Sequence, residues 1–508
     1  MFGSVLSAVI LGVDAHKVMV EADISSGLPG FSIVGCTSVQ GKEVQERVRT
    51  ALRSAGYFLP PKRITVNLAP AALKKTGAGF DLPVAAAVLC AAGYIPPQAL
   101  KDVLVLGELG LDGKVRRVSG VLPILLLAKE MKCRACIVPA WNRQEGDYTK
   151  NMKVIGIENL SQLIAFCKEG RVPEQKIYHK EKDDKEETLD FSDIRGQALA
   201  KRGALLCAAG FHNFLMTGPP GSGKTMVARR IPGILPEMTE EEKMEVIKIQ
   251  SIAGILGESG AFSGKRPFRS PHHTLTLPAL TGGGRIPRPG EVTLAHRGVL
   301  FLDELAEIQR TVLEALRQPL EEKRIVISRM SGDYCFPADF LFVAAMNSCP
   351  CGGYPDMNRC SCSQAQIDRY RNRISQPVLE RIDLCAEVSR VEWGELYERD
   401  DSPGESRRMK EQVECARRMQ RKRYEGSLIQ FNSQLTGKET KKFCRMTDGA
   451  QKLLEDSYQR LRLSVRVCHR IVKVSRTCAD LEGSRLIEEK HLREALFFRG
   501  VDQGDWKA

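Results

Sequence analysis

The sequence predicts an α/β chain of two or three domains, and three observations carry that class. At 508 residues it exceeds what one hydrophobic core supports. Its first 170 residues alternate strand-like and helical runs, the pattern of a compact α/β or α+β domain. Farther on, the apolar run Asn213-Phe214-Leu215-Met216-Thr217 meets Gly218-Pro219-Pro220-Gly221-Ser222-Gly223-Lys224-Thr225 and then the helical Met226-Val227-Ala228-Arg229-Arg230. Strand, glycine-rich loop and helix start, in that order, form the context of a phosphate-binding loop.

The glycines of this loop let the backbone turn sharply and bring its N–H groups against phosphate oxygens. The helix N-terminus adds partial positive charge at the same place. Lys224 is placed to reach the β- and γ-phosphates, and the Thr225 hydroxyl to hold Mg²⁺. A second run, Gly298-Val299-Leu300-Phe301-Leu302-Asp303-Glu304, reads as a fully buried parallel strand with two acids at its carboxyl end. Asp303 suits the Mg²⁺ shell, and Glu304 suits orienting and polarising a water. A nucleotide switch without turnover would not need Glu304, so hydrolysis of ATP is expected.

Composition narrows the setting. A hydrophobic content of 43% and a charged content of 27% describe an ordinary globular protein. No apolar run approaches bilayer length, and Met1 to Leu6 lacks the features of a signal peptide, so a cytoplasmic protein without a membrane partner is expected. The 16 cysteines do not suit a disulfide scaffold in so long a chain, and most, such as Cys90, Cys207 and Cys385, sit in apolar runs. A net charge of +13 fits a polyanionic partner but serves solubility equally well.

In the N-terminal domain, taken as residues 1–170, strand readings fall at Ala8 to Val13, Val18 to Ala22, Arg63 to Leu68, Val103 to Leu106 and Ala135 to Pro139. Helices are expected over Ser38 to Ser54, with Val44, Val48 and Leu52 on one face, and over Leu82 to Ala92 and Leu122 to Lys132. Through Thr65-Val66-Asn67-Leu68, Gly77-Ala78-Gly79-Phe80-Asp81 and Gly107-Glu108-Leu109-Gly110-Leu111-Asp112-Gly113-Lys114-Val115, this segment resembles the Lon-type (S5-like) protease domain. That chemistry needs a Ser–Lys dyad. In a gapless comparison the serine position falls on Gly79 and the lysine position on Leu122, so the domain lacks the dyad and a peptidase reading is rejected.

Residues 171–190 are polar and densely charged, which marks a linker. An ATPase domain is expected over 191–390 and a helical lid over 391–508. The lid readings are a charged helix from Glu405 to Glu425, with Glu411 and Glu414 spaced to pair with Arg407 and Lys410, and helices over Thr447 to Leu461, Val465 to Leu481 and Lys490 to Phe498.

The ordered motifs of residues 190 to 500 resemble the AAA+ class in its Mg-chelatase-like branch. Pro267-Phe268-Arg269-Ser270-Pro271-His272-His273-Thr274 and Arg288-Pro289-Gly290-Glu291-Val292-Thr293-Leu294-Ala295-His296 sharpen the match. With the N-terminal domain included, the whole chain resembles the YifB/ComM family. The resemblance implies a homo-hexameric ring motor acting on single-stranded or branched DNA in branch migration, recombination or natural transformation. It implies Gln197 beside the adenine, Asn347 as a sensor of the γ-phosphate, Arg466 as a second sensor and Arg381 as a finger supplied to a neighbouring subunit. For Arg381 a local salt bridge with Asp383 or Glu380 is the alternative. Arg324-Ile325-Val326-Ile327-Ser328-Arg329 and the turn Met330-Ser331-Gly332-Asp333 read as a β-hairpin. In related ring motors this hairpin, and the insert around Gly254 to Gly284, face the pore, where Arg324 and Arg329 are candidates for DNA phosphates. A solvated surface hairpin is the other reading of either arginine. His272 and His273 lack metal-ligand spacing and are expected to make structural or nucleic-acid contacts.

Cys349, Cys351, Cys360 and Cys362 form a Cys-x-Cys…Cys-x-Cys pattern around Gly352-Gly353. Four thiolates can close a tetrahedral Zn²⁺ site that stiffens the loop after Asn347, and buried or free thiols are the other reading. The expected cofactors are thus ATP, Mg²⁺ and a structural Zn²⁺. Remodelling of a protein or cofactor complex, as in a chelatase, is the alternative function.

Overall fold

The computed structural model describes residues 1–73, 75, 78–174, 189–256, 262–284, 286–329, 332–390 and 404–499. Most of the expected linker, Gly77 of the Lon-like motif, the turn residues Met330 and Ser331, residues 257–261 of the insert, residue 285, and residues 391–403 and 500–508 of the expected lid lie outside the described residues.

The N-terminal sheet has seven strands in the order Gly30–Val34, Arg63–Ala69, Asp14–Ser25, Phe2–Leu11, Val103–Val105, Ala135–Pro139 and Val154–Ile157. The first two strands outrun their apolar readings because they zip into one hairpin, paired from Phe2 with Asp23 to Leu11 with Asp14. Ser38–Ser54 is helical, and Val44, Val48 and Leu52 form its buried stripe. Asp81–Ala91 is buried along its whole length. Its alanines and Gly3 permit that close approach, since a Cβ on Gly3 would stand 2.5 Å from the Ala87 carbonyl oxygen. The helix is anchored at its start by Asp81, which accepts two hydrogen bonds from Arg47, at 2.7 and 3.0 Å, and one from the Leu109 N–H at 3.2 Å.

This domain docks on the second one. Leu122, on the helix Val121–Glu130, packs with Ile247 and Leu256 beside the helix Glu240–Ala253. Gly120 N–H donates to the Ser251 carbonyl at 2.8 Å, and Leu122 N–H lies 3.0 Å from the Glu145 carboxylate. The Ser251 hydroxyl donates to the same carboxylate at 2.5 Å, and the Asn142 amide at 2.8 Å. The position expected for a catalytic lysine is therefore spent on an apolar joint. Gly79, at the serine position, lines a cleft of about 360 Å³ that residues of the second domain, including Ile252, Pro287 and Tyr334, help to wall.

The second sheet has five strands, all parallel, in the order Phe268–Arg269, Val299–Leu302, Leu341–Met346, Phe214–Thr217 and Leu384–Glu387. Continuous apolar runs form it because both faces are covered. Phe214, Met216, Phe301 and Val343 feed one core, and Leu215, Leu300, Leu302 and Phe342 feed the other. The helices Ala198–Gly210 and Lys224–Ile234 contribute to the first core, as do the lid helices Glu405–Arg423, Val465–Leu481 and Glu489–Phe497. Arg407 pairs with Glu411 at 3.2 Å. Lys410 does not take up Glu414 but reaches Glu237 at 3.2 Å, because the lid helix lies against the body there.

Asp383 ties lid to sheet. It lies 3.3 Å from His212 Nδ1, whose other ring nitrogen is 2.8 Å from the Thr477 hydroxyl, and 3.8 Å from Arg470. Burial would raise its pKa, yet the hydrogen bond to His212 and the charge of Arg470 hold it well below the usual carboxylate range.

Glu145 offers a test of the domain joint. Glu145→Ala should cost about 2 kcal/mol by stranding buried donors, read as a lower denaturation midpoint. Burial raises the Glu145 pKa above its ordinary value. Its proton is thus bound more tightly in the folded chain, a contribution complete below the unfolded pKa and lost as pH rises through the folded one. Stability measured against Glu145→Gln should accordingly shift against the native chain as pH rises.

Candidate nucleotide-binding site

The carboxyl ends of the parallel strands converge on the loop after Phe214–Thr217. Gly221 and Gly223 take φ of 74° and 90°, conformations that side chains resist, and so curl the loop over the start of the helix Lys224–Ile234. Gly218 must also lack a side chain, because a Cβ there would collide with the Val388 carbonyl. Lys224 is buried, and its ammonium donates to the Gly218 and Pro219 carbonyls at 2.8 and 2.7 Å. Burial lowers its pKa. The Asn347 side-chain oxygen lies 3.4 Å from the same ammonium, at the end of the neighbouring strand Leu341–Met346.

Thr225 donates to Asp303 at 2.8 Å, while the other Asp303 oxygen accepts the Glu304 N–H at 2.9 Å. A hydroxyl and a carboxylate side by side form the oxygen set that a hard, partly hydrated Mg²⁺ takes, so these residues fit the ion. Glu304 has φ of 50°, strained for a residue with a side chain, which turns it away from the buried strand that precedes it. Its carboxylate meets His273 Nδ1 at 2.8 Å. Of the histidine pair, then, one ring reaches the acid expected to handle water. The sequence signal for this is only that the pair closely follows the strand Phe268–Arg269, adjacent in the sheet to Val299–Leu302.

Gln197 donates to the Ser222 and Ser389 carbonyls at 3.2 and 2.7 Å, bridging the loop to the chain beyond the last strand. Arg381 donates to the Pro377 carbonyl at 2.5 Å and pairs with Glu321. Neither expected local partner, Asp383 or Glu380, takes it: Asp383 is occupied by His212 and Arg470, and Glu380 lies 3.6 Å from Arg466. Arg466 is 81% exposed in its side chain. Arg381 and Arg466 thus make their hydrogen bonds and ion pairs away from the phosphate loop of their own chain.

The two motifs that sharpened the family match clamp each other. Arg269 and Glu291 form a two-point ion pair with both bonds at 2.7 Å. His296 and Arg297 converge on Glu245 at 3.1 and 2.7 Å. The hydrogen bond to His296, with Arg297 beside it, brings the Glu245 pKa down to about 2.

Beyond the clamp, Arg324–Arg329 and Gly332–Pro337 form the two-stranded hairpin, with Arg324 and Arg329 exposed. The four clustered cysteines follow Asn347 directly, and their sulfurs all lie within 4.8 Å of one another. Among the described residues no helix is long and apolar enough to cross a membrane.

Comparison with known proteins places this site in a family context. The profile of magnesium chelatase, subunit ChlI, matches residues 190–396, that of subunit ChlI of Mg-chelatase matches 20–142, and the ChlI C-terminal profile matches 404–499. The chain is 43% identical over 502 residues to competence protein ComM of Haemophilus influenzae, covering 98% of this chain and 97% of the relative. It is 40% identical over 494 residues to an uncharacterised protein YifB of Escherichia coli, covering 97% and 96%. Lon protease 2 of Bacillus subtilis is 29% identical over 147 residues, 27% of this chain and 26% of the protease.

Proposed function

We propose, from the premise that this chain belongs to the YifB/ComM family of Mg-chelatase-like AAA+ ATPases, that it is an ATP-driven ring motor acting on DNA. The observation that carries ATP hydrolysis is Glu304 set beside the Thr225–Asp303 pair. Lys224 binds phosphate oxygens, exchanging its two carbonyl partners for them. Thr225 and Asp303 hold Mg²⁺, which neutralises developing charge when bound. Glu304, released from His273, orients and polarises the attacking water, while Asn347, beside the Lys224 ammonium, reports on the γ-phosphate.

The ring reading draws on Arg381 and Arg466, whose bonds run away from their own phosphate loop. Arg381, delivered from one subunit, completes the site of the next. The DNA reading draws on the competence protein among the relatives, the net charge of +13 and the exposed hairpin arginines. Contacts of that kind hold the phosphate backbone without reading sequence. The alternative, remodelling of a protein or cofactor complex, takes its support from the ChlI profiles.

Four measurements test this reading. Glu304→Gln should bind ATP normally and hydrolyse it at least about 10²-fold more slowly; unchanged turnover would remove its role in handling water. Inactive Lys224→Ala and Arg381→Ala proteins, mixed, should recover part of the ATPase rate, since some interfaces then carry both groups; no recovery counts against shared sites. ATPase assays with single-stranded, double-stranded and branched DNA should show stimulation. Arg324→Ala and Arg329→Ala should each reduce the salt dependence of DNA binding by about one counterion. Turnover indifferent to every DNA would favour the remodelling alternative.

A further inference from the structure

We propose that Cys349, Cys351, Cys360 and Cys362 bind one Zn²⁺ and that this ion braces the wall of the nucleotide site formed by Pro220 and Asn347. The sulfurs of Cys349 and Cys351 lie 3.4 Å apart, and each lies 3.7 Å from that of Cys360. Four thiolates at Zn–S distances of about 2.3 Å form a tetrahedron with edges of about 3.8 Å, so the cluster matches a single ion. The separations are far longer than the roughly 2.05 Å of a disulfide bond. All four sulfurs fall within 4.8 Å of one another, whereas a two-iron cluster would hold its two thiolate pairs farther apart. Gly353 N–H points at Cys351 Sγ and Tyr354 N–H at Cys349 Sγ, both at 3.4 Å, the outer hydrogen bonds that steady a thiolate ligand. Four protein ligands leave no open position, so the ion is structural.

The loop that carries these ligands touches the nucleotide site twice. Cys349 follows Asn347 by two residues, and the Asn347 side chain lies 3.4 Å from the Lys224 ammonium. Between the first two cysteines and the second two, Gly352 turns with φ of 73° directly against the phosphate loop. A Cβ on Gly352 would stand 2.5 Å from Pro220 Cδ. Arg371 backs the loop, its guanidinium 5.1 Å from the Tyr354 ring centre. Closing the four thiolates on one ion fixes the Gly352 turn, and through it the position of Pro220.

The inference rests on the ATP-binding reading, and one experiment separates the two. Full-length protein prepared without added metal is assayed for metal content and for affinity for a fluorescent ATP analogue, before and after treatment with a strong chelator. Circular dichroism follows the fold in parallel. About one zinc per chain is expected, with no iron–sulfur absorbance. Stripping should weaken analogue binding about tenfold, the scale of one lost charge-assisted hydrogen bond, and added Zn²⁺ should restore it. Cys351→Ser with Cys362→Ser should lose the metal and bind the analogue as weakly as stripped protein. Should stripping unfold the chain, Gly352→Ala decides, with zinc retained and analogue binding weakened. Zinc well below one per chain, or a disulfide in its place, overturns the site. Unchanged affinity in stripped, folded protein or in Gly352→Ala overturns the brace. A zinc-loaded chain that binds no analogue overturns both the brace and the ATP reading, while the metal site stands.

Discussion

The hydrogen bond from Thr225 to Asp303 spans two strands that are not neighbours. Between Phe214–Thr217 and Val299–Leu302 stands Leu341–Met346, so the two residues meet only because all three strands run parallel and end at one edge. Parallel pairing requires each strand to return through a crossover, which covers both faces and explains the unbroken apolar runs. The same edge presents Asn347 beside Lys224 and turns Glu304 outward through a strained backbone. Loss of that parallel register would scatter the lysine, the hydroxyl, the acids and the amide at once.

The N-terminal domain, similar over part of its length to a Lon protease, is organised around one buried helix. Its buried helix Asp81–Ala91, pinned by Asp81 to Arg47, keeps the domain compact without any dyad. Leu122 stands where the dyad's lysine was expected and forms an apolar contact with Ile247 and Leu256. The Leu122 N–H, the Ser251 hydroxyl and the Asn142 amide converge on the Glu145 carboxylate, so the polar atoms of the joint bond one another. The helix carrying Ser251 also carries Glu245, which holds His296 and Arg297 close to the strand that ends in Asp303 and Glu304. A packed path therefore connects the protease-like domain to the acidic edge of the sheet.

A large share of the site was legible in the chain because its chemistry follows local rules. The glycine spacing, the strand before it and the helix after it are short-range features, and so are the acids that end an apolar strand. Ser38–Ser54 and Val465–Leu481 likewise follow from periodicity, which needs no knowledge of neighbours. Contacts between distant segments were not legible. His273 meets Glu304 across 31 positions of sequence, and Arg381 finds Glu321 rather than the acids beside it. Lys410 passes over its helical partner for Glu237, an acid on another element.

By itself the sequence determined the α/β class, the phosphate loop, the acidic strand end, the missing dyad and the grouping of four cysteines. Each rests on residue type and spacing along the chain, and local backbone geometry converts spacing into placement. The tertiary structure alone decided which residues face the loop from elsewhere. It set Gly352 against Pro220, His273 against Glu304 and Leu122 into the domain joint. Those contacts depend on how sheets and helices pack, and packing is settled by the sum of many buried surfaces rather than by any one stretch of residues.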